Sequence, residues 1–296
     1  MSSGLLPARL RGLLARSRLR LNTAVPAGGQ GDRSSKAKGS GLEFAEHRPY
    51  QPGDDLKHID PHIEARLGET YIRQYSVDAQ LPVTILLDSS ASMATGEPDK
   101  LRFSTALAAA LSYLALSGND RVRLGALHSG QVRWTDWFSG ARNIERILSW
   151  LEGLQGEGRA ELQDAAIQAA PRLPETGLII VISDWQDEVS SKLPALLAGE
   201  GREVVCVHVF TPAEEDPELL QVSGDLRLID AETGAELDVA VNPQALSEYR
   251  EAWQMFTAEL RERFLRQQAL YVPVSTSTGL EDVLLRDWTR LGLIMR

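Results

Sequence analysis

The chain has 296 residues, 43% of them apolar, with a formal net charge of −10 and a single cysteine, Cys206. That is enough chain for a large core of the kind soluble globular proteins bury, while one cysteine excludes an internal disulfide framework and fits a reducing compartment. No run approaches the roughly 20 apolar residues that span a bilayer, and the N-terminus lacks a continuous apolar stretch with a small-residue cleavage site, so a cleaved secretion signal is not expected.

Residues 1–40 carry eight Arg or Lys against Asp32 alone, a local charge of +7 that leaves −17 for the remainder. So acidic a body argues against nucleic-acid binding. Leu6, Leu10, Leu13, Leu14 and Leu21 recur near helical spacing with arginines between them, which predicts a basic amphipathic helix over residues 5–21. Such a helix has two uses: a membrane-surface contact, or leucines packed on the body with arginines meeting its acidic surface. The second is favoured, because a charge run is usually a solvated face. Residues 22–40, rich in Gly, Ser and Lys, read as a flexible linker that closes this first segment, 1–40.

Residues 41–80 form an extension dense in turn formers and charges. Pro52-Gly53 marks a tight turn, Asp54-Asp55 is placed to cap a helical turn, and residues 67–75 read as a short hairpin. His58 and His62 have metal-like spacing around Asp60, but Pro61 argues against a regular helix there and so against a metal role.

From residue 81 to 296 short apolar runs alternate with amphipathic segments. Residues 83–87, 122–127, 178–182 and 204–210 suit strands buried on both faces, and residues 100–117, 142–154, 161–172 and 190–200 read as helices. The alternation predicts an α/β fold built on a doubly wound, mostly parallel sheet. Cys206 falls inside a buried strand, where a thiol is inert. Residues 131–138 suit an antiparallel edge strand. Residues 225–229 and 236–241 flank Asp230-Ala-Glu-Thr-Gly234, a hairpin signal and so a hairpin insertion at about 225–241. Asn242-Pro243 then supplies a cap and a first-turn proline for a long helix to about Gln267. A strand over 270–275 and a helix over 280–290 end the chain.

In such a sheet ligands bind beyond the carboxyl ends of the strands. Asp88 follows the first apolar strand, with Ser90 and Ser92 at alternate positions after it, and Asp184 follows the strand over 178–182. Two carboxylates and two hydroxyls make an all-oxygen set suited to a hard cation such as Mg²⁺, with Mn²⁺ or Ca²⁺ as alternatives. The same serines would otherwise only cap the following turn. Asp88 is also the obvious nucleophile of a metal-dependent hydrolase or phosphatase, but the acid expected two positions on is Ser90. Neither a Gly-x-Ser-x-Gly elbow nor a nucleotide-binding Gly-rich loop is present. A non-enzymatic role is therefore expected.

Asp88-Ser-Ser-Ala-Ser92 resembles the metal-ion-dependent adhesion site of von Willebrand factor A domains, whose signature adds a distant Thr and Asp. The resemblance implies a Rossmann-like von Willebrand factor A fold and a metal that docks a partner's carboxylate. The family's Thr would fall in Gly156-Glu-Gly-Arg-Ala160, where Ala160 has no side-chain oxygen, so Glu161 or water would have to substitute. Upstream, Tyr50, Pro52, Gly53, Asp54, Asp55, Ile59, Asp60, Ala65 and Arg66 are similar to the block that precedes this domain in the bacterial domain-of-unknown-function 58 family, with Lys57 in place of Arg and Pro61 in place of Trp. That resemblance spans residues 39–296. It implies an adaptor or co-chaperone for a MoxR-type AAA+ ATPase, cytoplasmic or peripheral to the inner membrane, acting on an unidentified client. Arg48, Tyr50, Asp54, Asp55, Lys57 and Asp60 are then candidate partner contacts, although a structural bracing role for this block is favoured.

Overall fold

A computed structural model describes residues 4–20, 34–35, 42–50, 59–78, 80–186, 192–199, 201–222 and 224–295. Two compact units result: Ala24–Gln80, and Met1–Thr23 together with Leu81–Arg296.

The chain enters the larger unit with α1 (Ala8–Leu14) and β1 (Arg18–Leu19). The helix expected over 5–21 is thus less than half that length. After one turn beyond Leu14 the backbone extends, and Arg18 and Leu19 pair with Met295 and Ile294, a long-range pairing that ends the helix. Leu6, Leu10, Leu14 and Leu19 are buried in the body's core, while Arg11 reaches Glu145 at 2.9 Å and Arg9 reaches Glu281 at 3.3 Å. Of the expected stripe, Leu6, Leu10 and Leu14 are packed within the fold and Leu13 is exposed, while Leu21 lies outside the described residues.

The smaller unit holds β2 (Ser34–Ser35), β3 (Leu42–Pro49), α2 (Pro61–Leu67) and β4 (Tyr71–Asp78), with β4 central and antiparallel to both neighbours. Ser34 and Ser35 pair with Asp78 and Val77, so the expected linker contains a strand; the rest of residues 22–40 lies outside the described residues. The hairpin expected over 67–75 is replaced by the longer pairing of β4 with β3. Pro61 opens α2 instead of forbidding it: at the first helical position its missing N–H has no bond to lose, and Asp60 Oδ1 accepts the His62 N–H at 3.0 Å.

The larger unit continues with β5 (Pro82–Asp88), α3 (Lys100–Ser117), β6 (Arg121–His128), β7 (Gln131–Trp134), β8 (Phe138–Ser139), α4 (Ile144–Glu152), α5 (Leu162–Ala169), β9 (Thr176–Ser183), α6 (Leu193–Leu197) and β10 (Gly201–Phe210). After them come α7 (Pro212–Glu215), β11 (Gly224–Ile229), β12 (Glu236–Val241), α8 (Pro243–Arg266), β13 (Ala269–Ser275), α9 (Leu280–Asp282) and β14 (Ile294–Met295). The main sheet runs β13-β10-β9-β5-β6-β7, parallel from β13 to β6, with β7 and β8 antiparallel to β6. This is the expected doubly wound α/β class.

Alternate strand residues feed two cores, as a period of two requires. Val83, Ile85 and Leu87 face the layer containing α1, α3 and α4, whereas Leu86, Ile179 and Cys206 face the layer containing α5, α6 and α8. Cys206 is fully buried and its thiol is pushed well up by burial, which keeps it inert as expected. The expected edge strand over 131–138 is broken into β7 and β8 where Thr135 turns back to bond Leu124. The last helix is α-helical only over Leu280–Asp282 and continues as a π-helical turn over Val283–Trp288.

Asn242 caps the 24-residue α8 by accepting the Ala245 N–H at 2.9 Å. Asn242→Ala is expected to lower stability by about 1 kcal/mol in urea denaturation, and an unchanged midpoint would show that α8 is held by packing alone.

Candidate functional site

The chain winds outward from β5 to β6 and then returns to β9 on the other side of β5, so the topological switch lies between β5 and β9. That is where a sheet of this kind binds its ligands, beyond the carboxyl ends of the strands. Asp88 is the last residue of β5 and Asp184 the first after β9, so the two carboxylates predicted from sequence stand on either side of the switch.

Asp88 is fully buried. Its Oδ1 accepts the Ser90 N–H at 2.9 Å, and its Oδ2 accepts the Ser183 hydroxyl at 2.6 Å. Ser183 Oγ in turn accepts the Trp185 N–H at 3.0 Å, fixing the turn after β9. Burial, reinforced by the nearby Asp184, pushes the Asp88 carboxyl up to about 7 despite the hydrogen bonds from Ser183 and Ser90. Ser90 and Ser92, joined by a hydroxyl–hydroxyl bond of 3.0 Å, complete the loop. A 3-10 turn over Ala91–Ala94 follows, with Met93 buried in the core.

The loop in which the adhesion-site signature would place its Thr lies directly on this one. Ala91 N–H bonds Gly158 O at 3.0 Å, and Glu157 N–H bonds Ser89 O at 3.0 Å. The approach is close enough that a Cβ on Gly156 would meet Ala94 Cβ at 2.5 Å. Ala160 is buried, and its N–H points to Glu232 Oε2 at 3.4 Å. Glu161, the expected substitute, has a left-handed backbone and places its carboxylate against Gly130, where an added Cβ would lie 3.2 Å from Oε2. It therefore does not stand in for the missing Thr. The carboxylate bonded to Ala160, that of Glu232, belongs to the turn between β11 and β12.

Sequence reasoning missed the cation in this cluster. Lys100, 1% exposed, donates to Asp184 Oδ2 at 2.8 Å and to Glu214 Oε1 at 2.6 Å. It occupies the first position of α3, where the helix dipole disfavours a cation, so the two carboxylates are what hold it charged; their attraction keeps it above the usual lysine range against its burial. Glu214 is itself fixed by a capping box with Thr211 at the start of α7, and Gln186 Nε2 reaches its Oε1 at 3.2 Å. The signal was present in α3. Lys100, Ser104, Leu107, Ala108 and Leu111 follow the i, i+4, i+7 spacing of one buried stripe, and all of them are buried.

Beside this cluster His208, 1% exposed, sits among Phe210, Trp253, Phe256 and Tyr271, with Nδ1 at 2.7 Å from the Tyr271 hydroxyl. Burial lowers its imidazole to about 4.

Among the described residues no three His, Cys, Asp or Glu side chains form a metal-binding group. The oxygens at the switch point nevertheless fit a hard cation as a reduced set. Asp88 offers its two carboxylate oxygens, Ser90 and Ser92 present hydroxyls, and among the described residues Asp184 Oδ1 accepts only a long bond from the Gln186 N–H, at 3.4 Å. Asp184 Oδ2 is taken by Lys100 and Ala160 offers nothing, so water would supply the rest.

The upstream candidates divide. Asp60 is buried and bonded to His47 Nε2 at 2.9 Å, which gives it a bracing role. Tyr50 donates its N–H to Thr70 O at 2.8 Å. Asp54, Asp55, Lys57, the Pro52-Gly53 turn and His58 lie outside the described residues, as do the Arg48 side chain and residues 190, 191 and 200 of the helix expected over 190–200.

A family model described as "Protein of unknown function DUF58" matches residues 46–263. The chain is 30% identical over 229 residues to an uncharacterised protein of Mycobacterium bovis and equally to one of Mycobacterium tuberculosis, covering 75% of this chain and 71% of each relative. Solved structures similar to it include the conserved hypothetical protein BatB of Bacteroides thetaiotaomicron, at 16% identity and TM-score 0.41 over 72% of this chain and 98% of that one. The SpRpn10 VWA domain is 13% identical at TM-score 0.39, over 71% of this chain and 95% of its own.

Proposed function

Because the chain belongs to the DUF58 family, we propose that it is a non-enzymatic protein-interaction module, an adaptor for a MoxR-type AAA+ ATPase that docks through the rim at the β5–β9 switch point. The observation that carries this reading is the convergence there of Asp88, Ser90, Ser92 and Asp184 in an oxygen-rich cluster. A divalent ion, Mg²⁺ by preference, would be held by those four residues, and its chemistry there is to offer a coordination position to a partner's carboxylate. The state of Asp88 speaks against the hydrolase alternative. A nucleophile must reach its substrate, whereas this carboxylate is fully buried with both oxygens engaged by Ser90 and Ser183. No helix among the described residues is long and apolar enough to cross a membrane, and action in the cytoplasm, free or at the inner-membrane surface, belongs to the same proposal.

An affinity pull-down from the native host's lysate tests it, comparing wild type with Asp88→Ala in Mg²⁺ and in EDTA, after circular dichroism has shown that the variant is folded. The expected result is recovery of an AAA+ ATPase by wild type in Mg²⁺ and its loss in the other three arms. Recovery in all four would remove the metal rim from the docking role. Hydrolysis of phosphoesters by wild type but not the variant would replace the adaptor with an enzyme.

A further inference from the structure

The insertion between β10 and β13 has a composition unlike the rest of the chain. Residues 211–255 contain eleven Asp or Glu and only two Arg, a charge of −9 in 45 residues when the whole chain carries −10. The same segment exposes apolar side chains that a lone helix or core strand would bury: Leu219, Leu220, Leu228, Ile229 and Leu237 are each at least half exposed.

The register of the hairpin sorts these groups. Leu226 faces Val239 and Leu228 faces Leu237, so one side of the ribbon is apolar; Arg227 faces Asp238 and Ile229 faces Glu236, so the other is largely charged. Leu226 and Val239 are half-buried, but Leu228 and Leu237, toward the turn, are 51% and 62% exposed. A two-stranded ribbon has no second sheet to cover such a face. The two cations of the segment are already committed, Arg227 to Asp238 and Glu236, Arg250 to Asp216 and Glu218. Among the described residues Asp225, Glu215 and Glu251 have no cationic partner. The ribbon is only two strands wide, about 5 Å between them, so carboxylates on its charged side lie within reach of long side chains that lap its edges.

We propose that this hairpin, with the 3-10 turn over Pro217–Leu220 that leads into it, is a docking surface for a cationic amphipathic segment of a partner protein. Leucines open on one side of the ribbon and the uncompensated carboxylates of the same acidic segment match a helix whose apolar stripe is flanked by Lys or Arg. An acidic or purely apolar partner would leave the carboxylates desolvated without a counter-charge. The surface is independent of the metal rim reading, although its turn reaches the rim through Glu232 and Ala160.

The test uses the full chain and a fluorescent leucine–lysine helical peptide of about five turns, with a leucine–glutamate peptide of the same pattern as control, followed by anisotropy. The lysine peptide is expected to bind equally in Mg²⁺ and EDTA, and more weakly as salt rises. Leu228→Ser with Leu237→Ser should weaken it at least about tenfold. Both positions are exposed, so the fold should be unaffected, which circular dichroism checks. Equal binding of the glutamate peptide would overturn the proposal, as would indifference to the two serines or abolition by EDTA. A concentration-dependent dimer in sedimentation that the serine variant loses would overturn it in favour of a second copy of this chain.

Discussion

Lys100→Met is expected to lower the free energy of unfolding by about 3–5 kcal/mol near pH 7.5, the range for removing one member of a buried ion pair. The variant leaves Asp184 Oδ2 and Glu214 Oε1 facing each other across the space of a lost ammonium. Glu214 has partial access to water, but Asp184 has almost none, so most of the penalty falls on Asp184. Adding Asp184→Asn should therefore recover more than half of the loss, because the buried charge itself disappears. Urea denaturation of the single and double variants decides it. A Lys100→Met change within about 1 kcal/mol of wild type would mean that water replaces the ammonium.

The same variant bears on the metal question. Lys100 holds one oxygen of Asp184, and a divalent ion at the switch point competes with it for that carboxylate. Without the lysine, Asp88 and Asp184 stand together with no cation among their bonding partners. Mg²⁺ should then raise the stability of Lys100→Met more than that of wild type, by the logarithm of its occupancy. An equal shift in both proteins would separate Lys100 from the rim. Lys100 gives Asp184 a cation from the chain itself.

How far the sequence reveals this arrangement depends on the range of the interaction. The central strands, the exact span of α3, the hairpin of β11 and β12 and the cap of α8 are local patterns of burial, turn chemistry and capping, and each is where the residues predict it. The doubly wound layout follows from that alternation, and so does the placing of Asp88 and Asp184 at strand ends. What the local pattern misses is decided by distant partners. α1 stops at Leu14 because Arg18 and Leu19 find the far end of the chain. β4 extends to eight residues because β3 is there to pair with it. Lys100 is visible as a position on a buried stripe, but its meaning depends on Glu214, more than a hundred residues away, arriving through the capping box of α7. Glu232 at Ala160 is the same kind of case: a hairpin can be read from its turn, but not where the turn comes to rest.

His208 yields the second large effect, as a dependence on pH. Its folded imidazole titrates at about 4, against an ordinary value near 6.5 in the unfolded chain. The unfolded state therefore binds a proton that the folded state refuses throughout the window between those values. Stability is full above 6.5 and is lost as the pH falls to 4, by about 3 kcal/mol from this residue. The cause is the cage: burial lowers the value, Lys100 adds to the lowering, and Asp184 opposes it only in part. Asp88 acts in the opposite sense, since its folded carboxyl at about 7 lies above its ordinary value of 3.8, and it favours the folded state as the pH drops between them. Wild type alone would show only the difference of the two, so the measurement compares wild type with His208→Asn. The asparagine side chain offers an atom near the position of Nδ1 for the Tyr271 hydroxyl and carries no titrating group. At pH 7.5 the variant should be the less stable protein, having lost ring contacts with Phe210, Trp253, Phe256 and Tyr271. In urea at pH 4 the gap should close by about 3 kcal/mol, because only wild type carries the proton penalty. A gap that stays constant from pH 7.5 to 4 would mean that the cage admits the imidazolium, with Asp184 as its counter-ion, and that the acid sensitivity of this fold originates elsewhere.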